Sequence, residues 1–270
     1  MANPTTASPQ PMPPMPAGAP ESRTVPAARG VAWWVEAWRL FTPSVGAWLL
    51  VALILCGLIL VGSVVGLIPF LGQLLGLAGE VLWPVLIGGL MLGCRAIDRG
   101  NPLLVAHLFA GFSQRTGPLI VAGAIYTGLL ILISLVIAGM MIAIFGVEII
   151  GVLTGSAETS QTGIAFSSTV VAVLLGFLFF LLLLLPLLMA IWFAPALIML
   201  GGVGPTDAMK ASFAGCVRNM VPFLIYGALG VVLAIVATIP FGLGWLVLAP
   251  VMIASIYASY CDIYEDKDSV

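Results

Sequence analysis

The chain has 270 residues, of which 61% are hydrophobic and only 7% charged, with a mean hydropathy of +1.21. Soluble proteins carry about 25% charged residues, so this composition excludes a water-facing globular domain and requires lipid as solvent. The net charge of -2 conceals a segregation of the charges and the pI near 5.2 says little about partners, while the lack of a long basic run argues against binding to nucleic acid.

Residues 1–28 read as a disordered, Pro-rich cytoplasmic tail. Eight of the 19 prolines fall within residues 1–26, and proline removes donors while fixing extended dihedrals. The segment lacks a basic region leading straight into an apolar run, so a removable signal peptide is not expected. Residues 29–264 read as one membrane domain, and 265–270 as a cytoplasmic C-terminal tail.

The domain opens with Trp33-Trp34-Val35-Glu36-Ala37-Trp38-Arg39, part of an amphipathic stretch over 31–41 that is too short to span. Spans follow near 45–65 and 81–98, joined by a tight turn from Gly66 to Gly72. A second amphipathic stretch covers 103–114. There, as an α-helix, residues 104, 105, 108, 109 and 112 form an apolar face opposite His107, Gly111 and Gln114. Spans near 118–142 and 168–191 come next, joined by a loop from about Gly146 to Phe166. Pro186 and Pro195 predict a bend or a separate segment at the end of the fourth span. A third amphipathic stretch covers 206–217 and leads into spans near 221–239 and 245–264, joined by a turn from Ile239 to Gly244.

The expected fold is therefore all-α: a polytopic bundle of six transmembrane helices in three hairpins, each preceded by a short interfacial amphipathic helix. Each span approaches the roughly 20 residues that a hydrocarbon core requires. Residues 107–124 align with 211–228 without a gap, matching Phe109 with Phe213, Gly111 with Gly215, Pro118 with Pro222 and Gly123 with Gly227. This favours an internal repeat over shared composition.

The nine basic residues are Arg23, Arg29, Arg39, Arg95, Arg99, Arg115, Lys210, Arg218 and Lys267, and all fall on one side of this topology. Positive charge near a span resists translocation, which puts both termini and the two middle connections in the cytoplasm.

No pattern of catalytic, cofactor-binding or metal-ligating residues emerges. One histidine and scattered acids offer no nucleophile and base set. Cys56, Cys94, Cys216 and Cys261 show no C-x-x-C spacing, and buried packing is preferred to a zinc site built with His107. Glu80 begins the expected second span near the outer interface; a shifted boundary would place it deeper and open a proton-coupling role. Arg95 and Asp98, spaced i to i+3, read as a solvated ion pair that closes a span. Gly89 and Gly93 read first as intramolecular packing positions. The candidate contacts for lipid headgroups or a partner are Arg39, Arg95, Arg99, His107, Lys210 and Arg218.

The run Pro84-Val85-Leu86-Ile87-Gly88-Gly89-Leu90-Met91-Leu92-Gly93-Cys94-Arg95-Ala96-Ile97-Asp98-Arg99-Gly100, followed by His107-Leu108-Phe109-Ala110-Gly111-Phe112, resembles an uncharacterised family of bacterial polytopic inner-membrane proteins. The architecture is similar, more distantly, to the membrane domain attached to some glycerophosphoryl diester phosphodiesterases, without their catalytic domain. The resemblance implies a bacterial inner membrane and carries no functional residue. The leading expectation is a non-enzymatic scaffold or accessory factor of envelope or lipid homeostasis. Its expected partners are membrane lipids, with a membrane protein or a second copy as further partners. The alternative is a small permease with a polar cavity lined by Tyr126, Thr127, Ser134 and Tyr226.

Overall fold

A computed structural model describes residues 20–153 and 162–265. Lipid offers no partners to backbone N–H and C=O groups, so apolar runs satisfy them internally as helices. In chain order these are α1 (Arg29–Phe41), α2 (Val45–Val65), α3 (Leu71–Asp98), α4 (Thr116–Leu153), α5 (Thr162–Trp192), α6 (Ala194–Met199), α7 (Pro205–Arg218), α8 (Met220–Thr238) and α9 (Trp245–Tyr264). A 3-10 turn, Thr42–Ser44, separates α1 from α2, and a 3-10 helix over Val105–Phe112 lies between α3 and α4. Six segments are long and apolar enough to cross a membrane: α2 together with α1, then α3, α4, α5 with α6, α8 and α9. No strand occurs among the described residues. The protein is an all-α, polytopic helical bundle.

The hairpins α2–α3 and α8–α9 share a turn design. Pro69 and Pro240 each precede a phenylalanine in the left-handed region, Phe70 at φ 63° and Phe241 at φ 53°. Each turn then needs a glycine. A Cβ at Gly72 would lie 2.5 Å from the Gly66 carbonyl oxygen, and one at Gly244 would lie 2.5 Å from the Ala237 Cα.

Burial follows the logic of a lipid solvent. The most apolar span, Val170–Met199, is the least buried, while α9, which carries Ser255, Ser259 and Asp262, is the most buried. Trp33, Trp48, Phe193 and Leu90 are fully buried in the core. α1 packs on both α8 and α9 more extensively than those two helices pack on each other. At its start Arg29 is tied to Asp262 of α9, and just beyond its end Ser44 accepts from the Leu103 N–H in the segment after α3.

Several expectations need correction. The second span begins at Leu71 rather than near 81, so Glu80 lies well inside α3 and not at its start. Most of the expected loop from Gly146 to Phe166 is helix, since α4 runs to Leu153 and α5 resumes at Thr162. Residues 154–161, with Glu158, lie outside the described residues. The 38 residues of α4 amount to about 57 Å of helix, well beyond a hydrocarbon core of roughly 30 Å. The proline-rich end of the fourth span does become a separate segment: α5 stops at Trp192 and α6 restarts with Pro195 in its first turn.

The expected tail over 1–28 is tied down in its last part. Arg23 N–H donates to the Ile263 carbonyl at 2.9 Å, and the Asn219 side chain both accepts from Val25 N–H and donates to the Arg23 carbonyl. Residues 1–19 and 266–270 lie outside the described residues. The middle amphipathic stretch is 3-10 rather than α-helical and runs along α3. A Cβ on Gly93 would meet Leu103, one on Gly89 would meet the His107 and Leu108 carbonyls, and one on Gly111 would meet the Val85 carbonyl. The aligned repeat segments thus differ in form: residues 107–124 include a 3-10 helix where 211–228 include an α-helix.

Candidate functional site

One end of the bundle gathers most of the described basic residues, and tertiary contacts hold them there. The Arg29 guanidinium pairs with Asp262 and with Glu36, the latter at 2.6 Å. Arg95 pairs with Glu265 beyond the end of α9. Arg115 donates to the Gly202 carbonyl at 3.1 Å, and Arg218 donates to the Ser22 carbonyl at 2.8 Å. The i to i+3 pair expected between Arg95 and Asp98 is not formed. Arg95 reaches to Glu265 instead, and Asp98 accepts from the Tyr257 hydroxyl at 3.0 Å. Both residues therefore fasten α3 to α9.

Three of the six candidate residues come together. Arg95, Arg99 and His107 line a groove of about 310 Å³ between the end of α3 and the 3-10 helix, with Asn101 and Gln114 on its rim. The groove forms because Gly89 and Gly93 let the 3-10 backbone approach α3 closely; a Cβ on Gly89 would sit 2.4 Å from the His107 carbonyl oxygen. These two glycines therefore serve intramolecular packing. His107 Nδ1 accepts from the Leu104 N–H at 3.1 Å, which leaves Nε2 as the other ring position. Partial burial lowers its pKa below the usual histidine range. Arg99 is exposed at the mouth.

The 3-10 period also changes which side chains face inward. Leu108 and Gly111, three apart, are buried, whereas Leu104, Phe109 and Phe112 are 55%, 47% and 43% exposed. Much of the apolar stripe read as one helical face thus points away from the protein.

The other three candidates lie apart. Arg39 is exposed in the last turn of α1. Lys210 pairs with Asp207 at 3.6 Å across a solvated surface, where such a pair contributes little. Arg218 is bound to Ser22.

A second feature was hidden from sequence reasoning. An apolar cavity of about 570 Å³ opens among α2, α3, α8, α9 and the α5–α6 junction. Trp83, Trp192 and Trp245 line it. Tyr226 also contributes, with its hydroxyl held 2.7 Å from the Ser255 Oγ. The four residues expected to line a polar cavity do not converge. Only Tyr226 reaches this space, Ser134 donates to the Leu130 carbonyl, and the buried Thr127 hydroxyl has no partner among the described residues. Cys94 and Cys216 are buried, and among the described residues no three His, Cys, Asp or Glu side chains meet as a metal site.

Comparison with known proteins finds a probable inner membrane protein of Burkholderia thailandensis, 29% identical over 208 residues, covering 72% of this chain and 68% of that protein. No family model and no solved structure matches. The distant likeness to the membrane domain of glycerophosphoryl diester phosphodiesterases finds no support in these comparisons. With six spans and this relative, the chain is an integral, multi-pass membrane protein.

Proposed function

We propose that the protein is a non-enzymatic scaffold or accessory factor of the bacterial inner membrane, serving envelope or lipid homeostasis, and that its basic end holds anionic lipid headgroups at the cytoplasmic surface. The observation that carries this reading is the convergence of Arg95, Arg99 and His107 in one groove at the end of α3. Basic pockets on the cytoplasmic side of spans recognise anionic headgroups, and Asn101 and Gln114 add neutral hydrogen-bonding groups. The relative's name supports the inner membrane, and the one-sided distribution of Lys and Arg supports both termini inside.

The groove reading is tested in nanodiscs of phosphatidylethanolamine and phosphatidylglycerol, followed by extraction into mild detergent and native mass spectrometry. The expected outcome is selective retention of phosphatidylglycerol by the native chain and loss of that selectivity in Arg99→Gln combined with His107→Gln. Equal retention of both lipids by the native chain would contradict it.

A further inference from the structure

We infer that Glu80 and the tryptophan-lined face beside it on α3 bind a lipophilic organic cation, with the charge at the carboxylate and the apolar body among Trp83, Trp192 and Trp245. Depth is the first observation. From Arg95, at the basic end of the bundle, to Glu80 is about 22 Å along α3 at the rise of an α-helix, which falls inside a hydrocarbon core of roughly 30 Å. An ionisable side chain at that depth is costly and marks a functional site, where a partner offsets its charge.

The chain supplies no such partner. Glu80 is exposed and forms no hydrogen bond or ion pair among the described residues. α2, α4, α5, α6, α8 and α9 contain no Lys, Arg or His, and the only basic residue of α3 is Arg95, near its other end. A second copy in the same orientation brings the same helices, and so no cation at this depth. The compensating charge comes from a ligand.

The face that carries Glu80 selects the kind of cation. Glu80, Trp83, Pro84 and Ile87 stand at i, i+3, i+4 and i+7, on one side of α3. The last three line the cavity of about 570 Å³, so the carboxylate stands one helical turn from its wall, on the side of α3 that faces it. That volume matches pockets for drug-sized ligands, and of the aromatic side chains tryptophan attracts cations best. A metal ion does not fit. One carboxylate and apolar walls cannot replace its shell of oxygen ligands, and among the described residues no three His, Cys, Asp or Glu side chains meet. A quaternary ammonium or phosphonium with apolar or aromatic groups does fit, since it has no N–H to satisfy and meets a carboxylate on one side and tryptophans on the other.

The site is separate from the headgroup groove, which uses the other end of α3, so either assignment can fail alone. The probe is tetraphenylphosphonium, with tetraphenylborate as its anion of the same shape. Equilibrium dialysis against the full chain in phosphatidylcholine nanodiscs, with uptake by empty nanodiscs subtracted, should show saturable binding of the phosphonium and none of the borate. Glu80→Gln should weaken phosphonium binding by at least about tenfold, the scale of one charge pair near a protein surface. Glu80→Asp, which keeps the charge, should retain saturable binding. Because Glu80 is exposed and makes no hydrogen bond, both variants should keep the thermal midpoint of the native chain. Trp83→Ala should weaken binding by about threefold or more, the scale of a cation–π contact, and Ala249→Trp should do so by filling the cavity. Equal uptake of both ions, or phosphonium uptake that does not saturate or is unchanged in Glu80→Gln, would overturn the site. Binding that needs Glu80 but is indifferent to both Trp83→Ala and Ala249→Trp would overturn the part played by the cavity.

Discussion

The indole Nε1–H of Trp33 donates to the Asp262 carboxylate at 2.8 Å, joining the first helix of the domain to the last at a point where both residues are almost wholly buried. The same carboxylate binds the Arg29 guanidinium. Removing one partner of a buried charge pair costs roughly 3–5 kcal/mol where the other is left without compensation, and here Glu36 at 2.6 Å still compensates Arg29 in part. Arg29 retains some solvent, with 24% of its side chain exposed, which points to the lower end of that range. Asp262→Ala should therefore destabilise the solubilised protein by about 3 kcal/mol. Denaturant unfolding followed by tryptophan fluorescence reads the effect, and an unchanged midpoint would remove this cluster from the account of stability.

The glycines of α3 should divide sharply. A Cβ at Gly89 meets backbone carbonyls of the 3-10 segment that cannot swing away, whereas one at Gly76 meets nothing within 4 Å. Gly89→Ala should cost about 1–3 kcal/mol by overpacking and distort the groove. Gly76→Ala should be neutral or stabilising by up to about 1 kcal/mol, since alanine is the better helix former. Thermal stability of the two variants in one detergent checks the contrast.

Acidification should weaken the groove. Burial lowers the folded-state pKa of His107 below its unfolded value near 6.5. The folded state therefore binds less proton than the unfolded state between the two values, and stability is lost as pH falls from about 6.5 toward the lowered folded value. Below both values no further loss arises from this group. A protonated Nδ1 also loses its capacity to accept from the Leu104 N–H. His107→Gln should flatten the part of the stability profile between pH 7 and the lower limit of that window; an identical slope in the variant would exclude the residue as its source.

Much of the bundle was legible in the sequence, because chain hydrophobicity and length decide what lipid accepts. The limits lay where local polarity misled. Leu71 to Glu80 contains Gly72, Gln73, Gly76, Gly79 and Glu80, which reads as a broken segment, yet backbone in lipid must stay hydrogen-bonded and α3 runs through it. Arg95 and Asp98 carry the spacing of a local pair, but Glu265 and Tyr257 on a distant segment outcompete it, and no local pattern encodes such a partner. Arg95, Arg99 and His107 were recognisable one by one as basic groups near a span end. Their convergence depends on Gly89 and Gly93 admitting a 3-10 backbone whose period of three also reassigns the inward face. The cavity had no sequence signal, since its walls are ordinary apolar residues from several helices.

A headgroup groove at the inner surface requires the basic end of the bundle to face the cytoplasm, and the most direct test is two-sided labelling of single cysteines in a version lacking the four native ones. Phe241 sits fully exposed at the α8–α9 turn, and Ser113 is exposed at the close of the 3-10 helix on the opposite end. In intact spheroplasts, Phe241→Cys should react with an impermeant maleimide and Ser113→Cys should react only after the membrane is opened. Labelling of Ser113→Cys from outside, with Phe241→Cys protected, would contradict the orientation and with it a headgroup groove at the inner surface.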